Sequence, residues 1–186
     1  DWYRGVPRTV GFPDTTSVSA TVDGYGSITG VTDELGFTTS YGHDAMGRVT
    51  QITYPAGDTV AWAPTTVSFV PVATAEYGLP AGHWRQTLSR GNYRKETYFD
   101  GLWRPVLERE YDNGAVTATQ RFKGWQYDMD GQVTFAGYPR ATATSVASFT
   151  EGVTSTYDHL GRPTLVRQHS ELGNLDTVYA YLSGFE

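Results

Sequence analysis

The chain has 186 residues, no cysteine and a formal net charge of −6 at pH 7. The absence of cysteine excludes disulfides, zinc–thiolate centres and thiol chemistry, and no apolar run approaches the ~20 residues that a membrane-spanning helix needs. The acidic balance argues against nucleic acid as a partner, because binding to phosphates depends on clustered Lys and Arg.

An aspartate followed three positions later by a glycine recurs along the chain. The copies begin at Asp23, Asp33, Asp44, Asp100, Asp128 and Asp158, and the copy at Asp100 has Trp103 in the glycine position. Asp can accept a hydrogen bond from the backbone two residues on, and glycine adopts a positive φ without strain, so each copy predicts a tight turn. Recurrence of one such unit is typical of a repeat protein.

The segment after the third turn predicts a hairpin. Residues 48–54 alternate polar and apolar side chains, which indicates a strand with Ile52 and Tyr54 on one face. A short turn separates them from residues 59–62, where Val60 and Trp62 would share a face of the second strand.

Residues 63–95 interrupt the repeat. The step from Asp44 to Asp100 is 56 residues, whereas the next two steps are 28 and 30 residues. The stretch contains prolines, which confine strands to sheet edges or strand starts. We interpret it as a divergent repeat with an inserted loop, in preference to a separate functional subdomain.

Two further hairpins are predicted after the insert. One joins residues 106–111 to residues 115–122 through Asn113-Gly114, a strong short-range hairpin signal. The other joins residues 164–169 to residues 177–182. Thirteen tyrosines and 21 glycines favour strands and turns, and no long segment shows helical periodicity. We therefore predict an all-β chain in which antiparallel hairpins form one continuous sheet, as a single domain over residues 1–186.

The repeated turns resemble those of the bacterial RHS family, also called YD-repeat proteins. The best copy is residues 157–162, Tyr-Asp-His-Leu-Gly-Arg, while the copy at Asp44 lacks the adjacent tyrosine and the copy at Asp128 has Gln132 in the arginine position. The turn residues that the resemblance assigns are Asp44, Gly47, Arg48, Asp100, Arg104, Asp128, Gly131, Tyr157, Asp158, Gly161 and Arg162.

The resemblance implies a structural, non-enzymatic function. Family members wind β-hairpins into a spiral sheet, a shell that encloses or presents a C-terminal toxin or effector of the same parent chain. It also implies export from a bacterium, to the cell surface or the medium, with flanking repeats as partners. The chain lacks the Asp-Pro dipeptide of the family's self-cleavage motif and starts with Asp rather than Met, so we expect a segment from within the repeat body of a longer chain.

A carbohydrate- or surface-binding module is the alternative interpretation. Trp84, Trp103 and Trp125 are the candidate ligand contacts of a flat aromatic platform, with Trp84 the best of them. Large aromatic side chains also pack across sheets, and we favour that role for each tryptophan.

No catalytic or metal-binding residues are assigned. The chain has neither a Gly-x-Ser-x-Gly nor a His-Glu-x-x-His motif, and its four histidines are far apart in the sequence. The turns account for most of the aspartates. We expect no cofactor.

Overall fold

Strands dominate the computed structural model, which describes residues 1–57 and 59–182. Within these residues the chain forms sixteen strands, one four-residue helix, α1 (Val116–Thr119), and one 3-10 turn (Val146–Ser148). The strands are β1 (Trp2–Tyr3), β2 (Val6–Pro7), β3 (Thr9–Gly11), β4 (Ser17–Val22), β5 (Ile28–Thr32), β6 (Thr38–His43), β7 (Val49–Thr53), β8 (Thr65–Pro71), β9 (Trp84–Arg90), β10 (Tyr93–Phe99), β11 (Pro105–Asp112), β12 (Arg121–Tyr127), β13 (Val133–Gly137), β14 (Gly152–Tyr157), β15 (Pro163–Ser170) and β16 (Gly173–Val178). The predicted all-β class is confirmed.

Strand pairing follows chain order. Strands β3 to β16 form a fourteen-stranded antiparallel sheet in which each strand pairs with the next in sequence, and β1 pairs with β2 separately. The continuous sheet of antiparallel hairpins predicted from the repeats is therefore confirmed. Backbone contacts group the residues into two compact units.

The first unit contains residues 1–68 and 87–94. The turn at Asp33 lies at the opposite end of the strands from those at Asp23 and Asp44, because the three turns join consecutive antiparallel strands from β4 to β7. Strand β7 pairs with β8, with Ile52 opposite Thr65.

One predicted strand of this unit is wrong. Residues 59–62 form no strand but belong to the connection between β7 and β8. Pro55 and Pro64 flank this connection and have no N–H to donate to a sheet. Trp62 is held by side-chain contacts instead, since its ring lies 6.3 Å from that of Tyr54, centroid to centroid.

The second unit contains residues 69–86 and the residues from 95 onward. A loop of residues 72–83 joins β8 to β9. The Val72 N–H donates to the His83 carbonyl, and the Gly82 N–H donates to the Val72 carbonyl. Turns at residues 100–103, 128–131 and 158–161 join β10 to β11, β12 to β13 and β14 to β15, so these three turns lie at the same end of the strands.

The two later hairpins are present, with different bounds. Strand β11 pairs with β12 as predicted, but β12 begins only at Arg121 because α1 occupies the preceding residues. The Thr119 hydroxyl stabilises that helical turn by donating to the Ala115 carbonyl. Strand β15 pairs with β16, where Ser170 lies opposite Gly173.

The core of the second unit lies on one face of the sheet. It consists of Tyr98, Leu107, Phe122 and Phe149, each no more than 4% exposed. Residues 138–151 cross this face and bring Phe149 onto two strand glycines: a Cβ at Gly124 or Gly137 would lie 2.7 or 2.6 Å from the ring. The glycines therefore create the space for the ring.

A buried carboxylate continues the same face. Glu96 is 7% exposed and accepts hydrogen bonds from the hydroxyls of Tyr98 and Tyr111, both at 3.1 Å. The Arg109 guanidinium lies 3.5 Å from the same carboxylate. Burial raises the pKa of the Tyr98 hydroxyl, and the charge of Glu96 raises it further. This face is thus apolar at one end and ionic at the other.

Candidate functional site: the repeat turns and two aromatic clusters

All six repeat turns share one backbone geometry. The aspartate N–H donates to the carbonyl four residues on, and the N–H of the third residue donates back to the aspartate carbonyl, at 2.9 to 3.2 Å. That third residue has a φ between +64° and +94° in every copy. Trp103 adopts this conformation at +64°, where a non-glycine residue carries strain.

The aspartate side chain closes each turn. Its Oδ1 accepts from the N–H groups two and four residues on, at 2.8 to 3.0 Å in all six copies. Where an arginine follows the glycine position, its Nε donates to Oδ2 of the same aspartate. The pairs are Arg48 with Asp44, Arg104 with Asp100 and Arg162 with Asp158, at 2.7 to 2.8 Å.

These hydrogen bonds stabilise the carboxylate form. The backbone N–H and then the guanidinium of Arg162 lower the pKa of Asp158 from 3.8 to about 2. The same two groups of Arg48 lower the pKa of Asp44, and the backbone N–H of Ser27 lowers that of Asp23.

We expect acid to weaken the fold through these turns. Because the pKa of Asp158 is lower in the folded chain than its usual 3.8, its contribution is complete above that value and is lost as the pH falls toward about 2. The urea midpoint should therefore drop between pH 5 and pH 2, over about three pH units. Asp158→Asn, which keeps an Oδ1 acceptor, should make the drop shallower; an unchanged pH profile would contradict the assignment.

Gly161→Val tests the positive φ directly. Gly161 has a φ of +78°, which a β-branched residue adopts with strain, so we expect a loss of about 1 kcal/mol or more in the free energy of unfolding. Gly101→Val is the matched control, because Gly101 lies in a repeat turn without a positive φ and a Cβ there would meet nothing within 4 Å. Equal effects at both positions in urea titrations would argue against the strain.

Tyrosine hydroxyls connect one repeat turn to the next. Tyr127, directly before the turn aspartate, donates to the carbonyl of Pro105, the first residue of β11, at 2.7 Å. Tyr157 donates to Val133, the first residue of β13, at 2.8 Å. Each tyrosine thus reaches the strand that leaves the preceding turn, which explains physically why tyrosine stands beside the aspartate.

A third copy of this contact was missed by the sequence analysis. The Tyr181 hydroxyl donates to the Pro163 carbonyl at 2.9 Å, and the guanidinium carbon of Arg162 lies 4.1 Å from the centre of the Tyr181 ring. No aspartate follows Tyr181, so the dipeptide signal is absent. Tyr181 follows Asp158 by 23 residues, whereas Tyr127 follows Asp100 by 27 and Tyr157 follows Asp128 by 29, so spacing gave no signal either. Arg104 stacks on Tyr127 in the same way, at 4.6 Å.

The candidate tryptophans do not form one platform. Trp84 is half-buried and stacks on Phe69, with 4.9 Å between ring centroids, and Trp103 lies 5.2 Å from Trp84. Trp84 and Trp103 border a groove of about 390 Å³ with residues 79–83. Trp125 lies on β12 opposite Ala136, and the described residues show no ring contact between it and the other two.

A second aromatic cluster lies in the first unit. Tyr54, Trp62 and Phe37 line a groove of about 550 Å³ together with Arg90. None of these residues was a sequence candidate. Trp62 was assigned to a strand in the sequence analysis.

Most charged side chains beside the aromatic residues of the second unit are paired. Arg85 lies 3.3 Å from Glu76, and Lys95 lies 2.7 Å from Glu108. Among the described residues, no group of three or more His, Cys, Asp or Glu side chains could hold a metal ion. No described helix has the length and apolar character needed to cross a membrane.

Comparison with known families gives one match. Residues 23–59, which include the turns at Asp23, Asp33 and Asp44, match the model of the RHS repeat. A search of curated proteins finds no match. The matched segment ends within the connection between β7 and β8, and the later turns at Asp100, Asp128 and Asp158 share its hydrogen-bond geometry.

Proposed function

We propose that this chain forms part of the wall of a β-hairpin shell, because residues 23–59 match the RHS repeat and the later turns have the same hydrogen-bond geometry. The shell would enclose or present a toxin or effector at the C-terminal end of the same parent chain. Flanking repeats of that chain would be its direct partners.

The tyrosine contacts carry this proposal. The hydroxyls of Tyr127, Tyr157 and Tyr181 each bond the first strand residue after the preceding turn. Each of the three repeats that begin at Asp100, Asp128 and Asp158 therefore supplies the acceptor that the next tyrosine uses. The same contact can form between any number of successive hairpins without a closed core. This suits a wall that is built by adding hairpins.

The faces of β11 also support a wall. On one face, Leu107 is fully buried while Arg109 pairs with Glu96. On the other face, Glu108 lies opposite Lys123 and pairs with Lys95. A sheet between an enclosed cargo and solvent needs no purely apolar face, since a large lumen is not a packed core.

A wall segment has no catalytic role of its own. We propose that any activity of the parent protein comes from its cargo, and that the parent is exported from a bacterium to act at the cell surface or in the medium. The Asp-x-x-Gly aspartates would then serve the turns alone, as their hydrogen bonds to the backbone support.

Electron microscopy of the parent chain, with its flanking segments, tests the proposal. We expect a closed hollow particle with internal density. An open or rod-like sheet with both faces exposed would overturn it.

A double variant of the parent chain gives a biochemical test of the same proposal. Tyr127→Phe with Tyr157→Phe removes two of the connecting hydroxyls, so we expect faster protease digestion of the cargo. Tyr25→Phe is the control, because Tyr25 is 96% exposed and should leave digestion unchanged. Equal digestion of both variants would show that the tyrosine contacts do not hold a wall closed.

A further inference from the structure

Trp103 differs from the residues at the same position of the other repeat turns. The other five turns have glycine there, whereas Trp103 holds a φ of +64° with a large side chain. The residue is 54% exposed, so burial of the ring offsets only part of the strain. Strained residues of this kind cluster at ligand-binding sites, which makes the surroundings of Trp103 a candidate site.

The groove beside Trp103 has the shape of a notch. The Trp84 and Trp103 rings border this groove of about 390 Å³, and their planes meet at 42° with 5.2 Å between centroids. Phe69 supports both rings from behind, since its centroid lies 4.9 Å from that of Trp84 and 5.5 Å from that of Trp103. Leu79 and Pro80 extend the apolar wall. Such a notch accepts a narrow apolar ridge better than a flat ring.

The groove offers hydrogen-bond donors, while its acceptors are engaged. Within residues 1–57 and 59–182, the indole N–H groups of Trp84 and Trp103 donate to no protein acceptor. Both carboxylate oxygens of Asp100, which also lines the groove, accept hydrogen bonds inside the repeat turn. The Pro80 carbonyl accepts from the backbone N–H and from Nδ1 of His83. A matching ligand is therefore rich in acceptors and poor in donors.

We propose that the Trp84–Trp103 groove binds a proline-rich segment of a partner protein in the polyproline II conformation. Proline has no backbone N–H, and the carbonyl groups of a polyproline II helix make no internal hydrogen bonds. Such segments dock into aromatic-lined grooves. A prolyl ring would occupy the notch, and the carbonyl groups would accept from the two indoles.

The charge of the chain refines the description of the partner. A net charge of −6 favours a segment with Lys or Arg beside the prolines, because complementary charge steers association. An ordinary extended peptide would bring N–H groups for which Asp100 and Pro80 have no free acceptor. The inference uses the second unit only and does not depend on the shell.

Fluorescence anisotropy of a labelled oligoproline with a lysine at each end, titrated with the full chain, tests the proposal. The matched probe has the same length and the same lysines, with glycine and serine in place of the prolines. We expect the oligoproline to bind at least about tenfold more tightly, because it is ordered before binding and brings few N–H groups. Equal affinities, or no binding of the oligoproline at millimolar concentration, would overturn the proposal.

Trp103→Gly separates a binding role from a packing role. The variant removes the ring and restores the residue of the other five turns, so we expect peptide binding to weaken about tenfold or more and the urea midpoint to hold or rise as the strain is relieved. Leu102→Ala is the control, since Leu102 is 68% exposed in the same turn and does not line the groove. A lower midpoint with unchanged binding would show that Trp103 serves packing alone.

Trp84→Phe tests the donor. Phenylalanine keeps a ring against Phe69 but lacks the indole N–H, so binding of the oligoproline should weaken by about threefold or more, the usual value of one hydrogen bond. Unchanged binding in the folded Trp84→Phe and Trp103→Gly proteins would place the peptide elsewhere and overturn the assignment.

A neutral oligosaccharide is the competing occupant, because sugar rings also stack on tryptophan. Cellohexaose carries no charge and has many hydroxyl donors, for which Asp100 and Pro80 have no free acceptor. We expect it to leave the labelled oligoproline bound at millimolar concentration. Tighter binding of cellohexaose than of the oligoproline would assign the groove to sugars and overturn the proposal.

Discussion

Phe149→Ala is expected to lower the free energy of unfolding by about 3 to 5 kcal/mol, the usual cost of removing a buried phenylalanine. Phe149 is 4% exposed and belongs to the core with Tyr98, Leu107 and Phe122. The connection of residues 138–151 carries it onto Gly124 and Gly137, which cannot fill the space that alanine would leave. Urea titration followed by tryptophan fluorescence measures the effect.

A double-mutant cycle separates this packing from other causes. Gly137→Ala alone should destabilise the chain, because its Cβ would lie 2.6 Å from the Phe149 ring. In the Phe149→Ala protein the clash is absent, so adding Gly137→Ala should lower the free energy of unfolding only slightly. Leu172→Ala is the control for the first variant, since Leu172 is fully exposed. Additive effects of Gly137→Ala and Phe149→Ala would contradict the contact.

Gly152→Ala is expected to destabilise the chain by about 3 kcal/mol or more, at the upper end of overpacking effects. A Cβ at Gly152 would lie 2.2 Å from the Ala136 carbonyl oxygen and 2.8 Å from the Gly137 Cα. Both are backbone atoms of the paired strand β13. Relief of the clash therefore requires the two strands to separate.

Gly11→Ala is the matched control for this substitution. Gly11 is also a strand glycine without a positive φ, and a Cβ there would meet nothing within 4 Å. Its replacement should leave the urea midpoint nearly unchanged or raise it slightly. Similar losses for Gly11→Ala and Gly152→Ala would show that strand propensity, rather than the close approach of β13, determines the effect.

Local features of the sequence predicted the turns. The hydrogen bonds of Asp158 to Leu160 and Arg162 span two and four residues, and the positive φ of Gly161 belongs to a single residue. The six consecutive residues of one repeat turn therefore contain the information that determines its geometry. The strands that follow the turns were equally accessible, because a two-residue alternation is a local pattern.

The errors arose where distant residues decide the structure. The segment 59–62 has the alternation of a strand, but the partner of β7 is β8, and Trp62 packs on Tyr54 and Arg90 instead. The helical turn at residues 116–119 is a different kind of error, because its hydrogen bonds are local: the Thr119 hydroxyl donates to the Ala115 carbonyl and accepts from the Asp112 N–H.

The candidate tryptophans also separate what the local sequence reveals from what distant contacts decide. Trp103 was recognised as the occupant of a glycine position, and its φ of +64° is that of the glycines. Its contact with Trp84 joins residues nineteen positions apart across strands, while Trp125 lies elsewhere on the sheet. An aromatic composition does not reveal which rings meet.

The sequence by itself determined the repeat, its turns and the all-β class, because each depends on interactions within about six residues. Only the tertiary structure decided that Phe149 covers Gly124 and Gly137, that Tyr181 repeats the contact of Tyr127, and that Arg90 lies between Tyr54 and Trp62. These contacts join residues that are distant in the chain, and the pairing and register of the strands between them set their geometry. The turns are therefore a property of the hexamer, whereas the core and the groove are properties of the folded sheet.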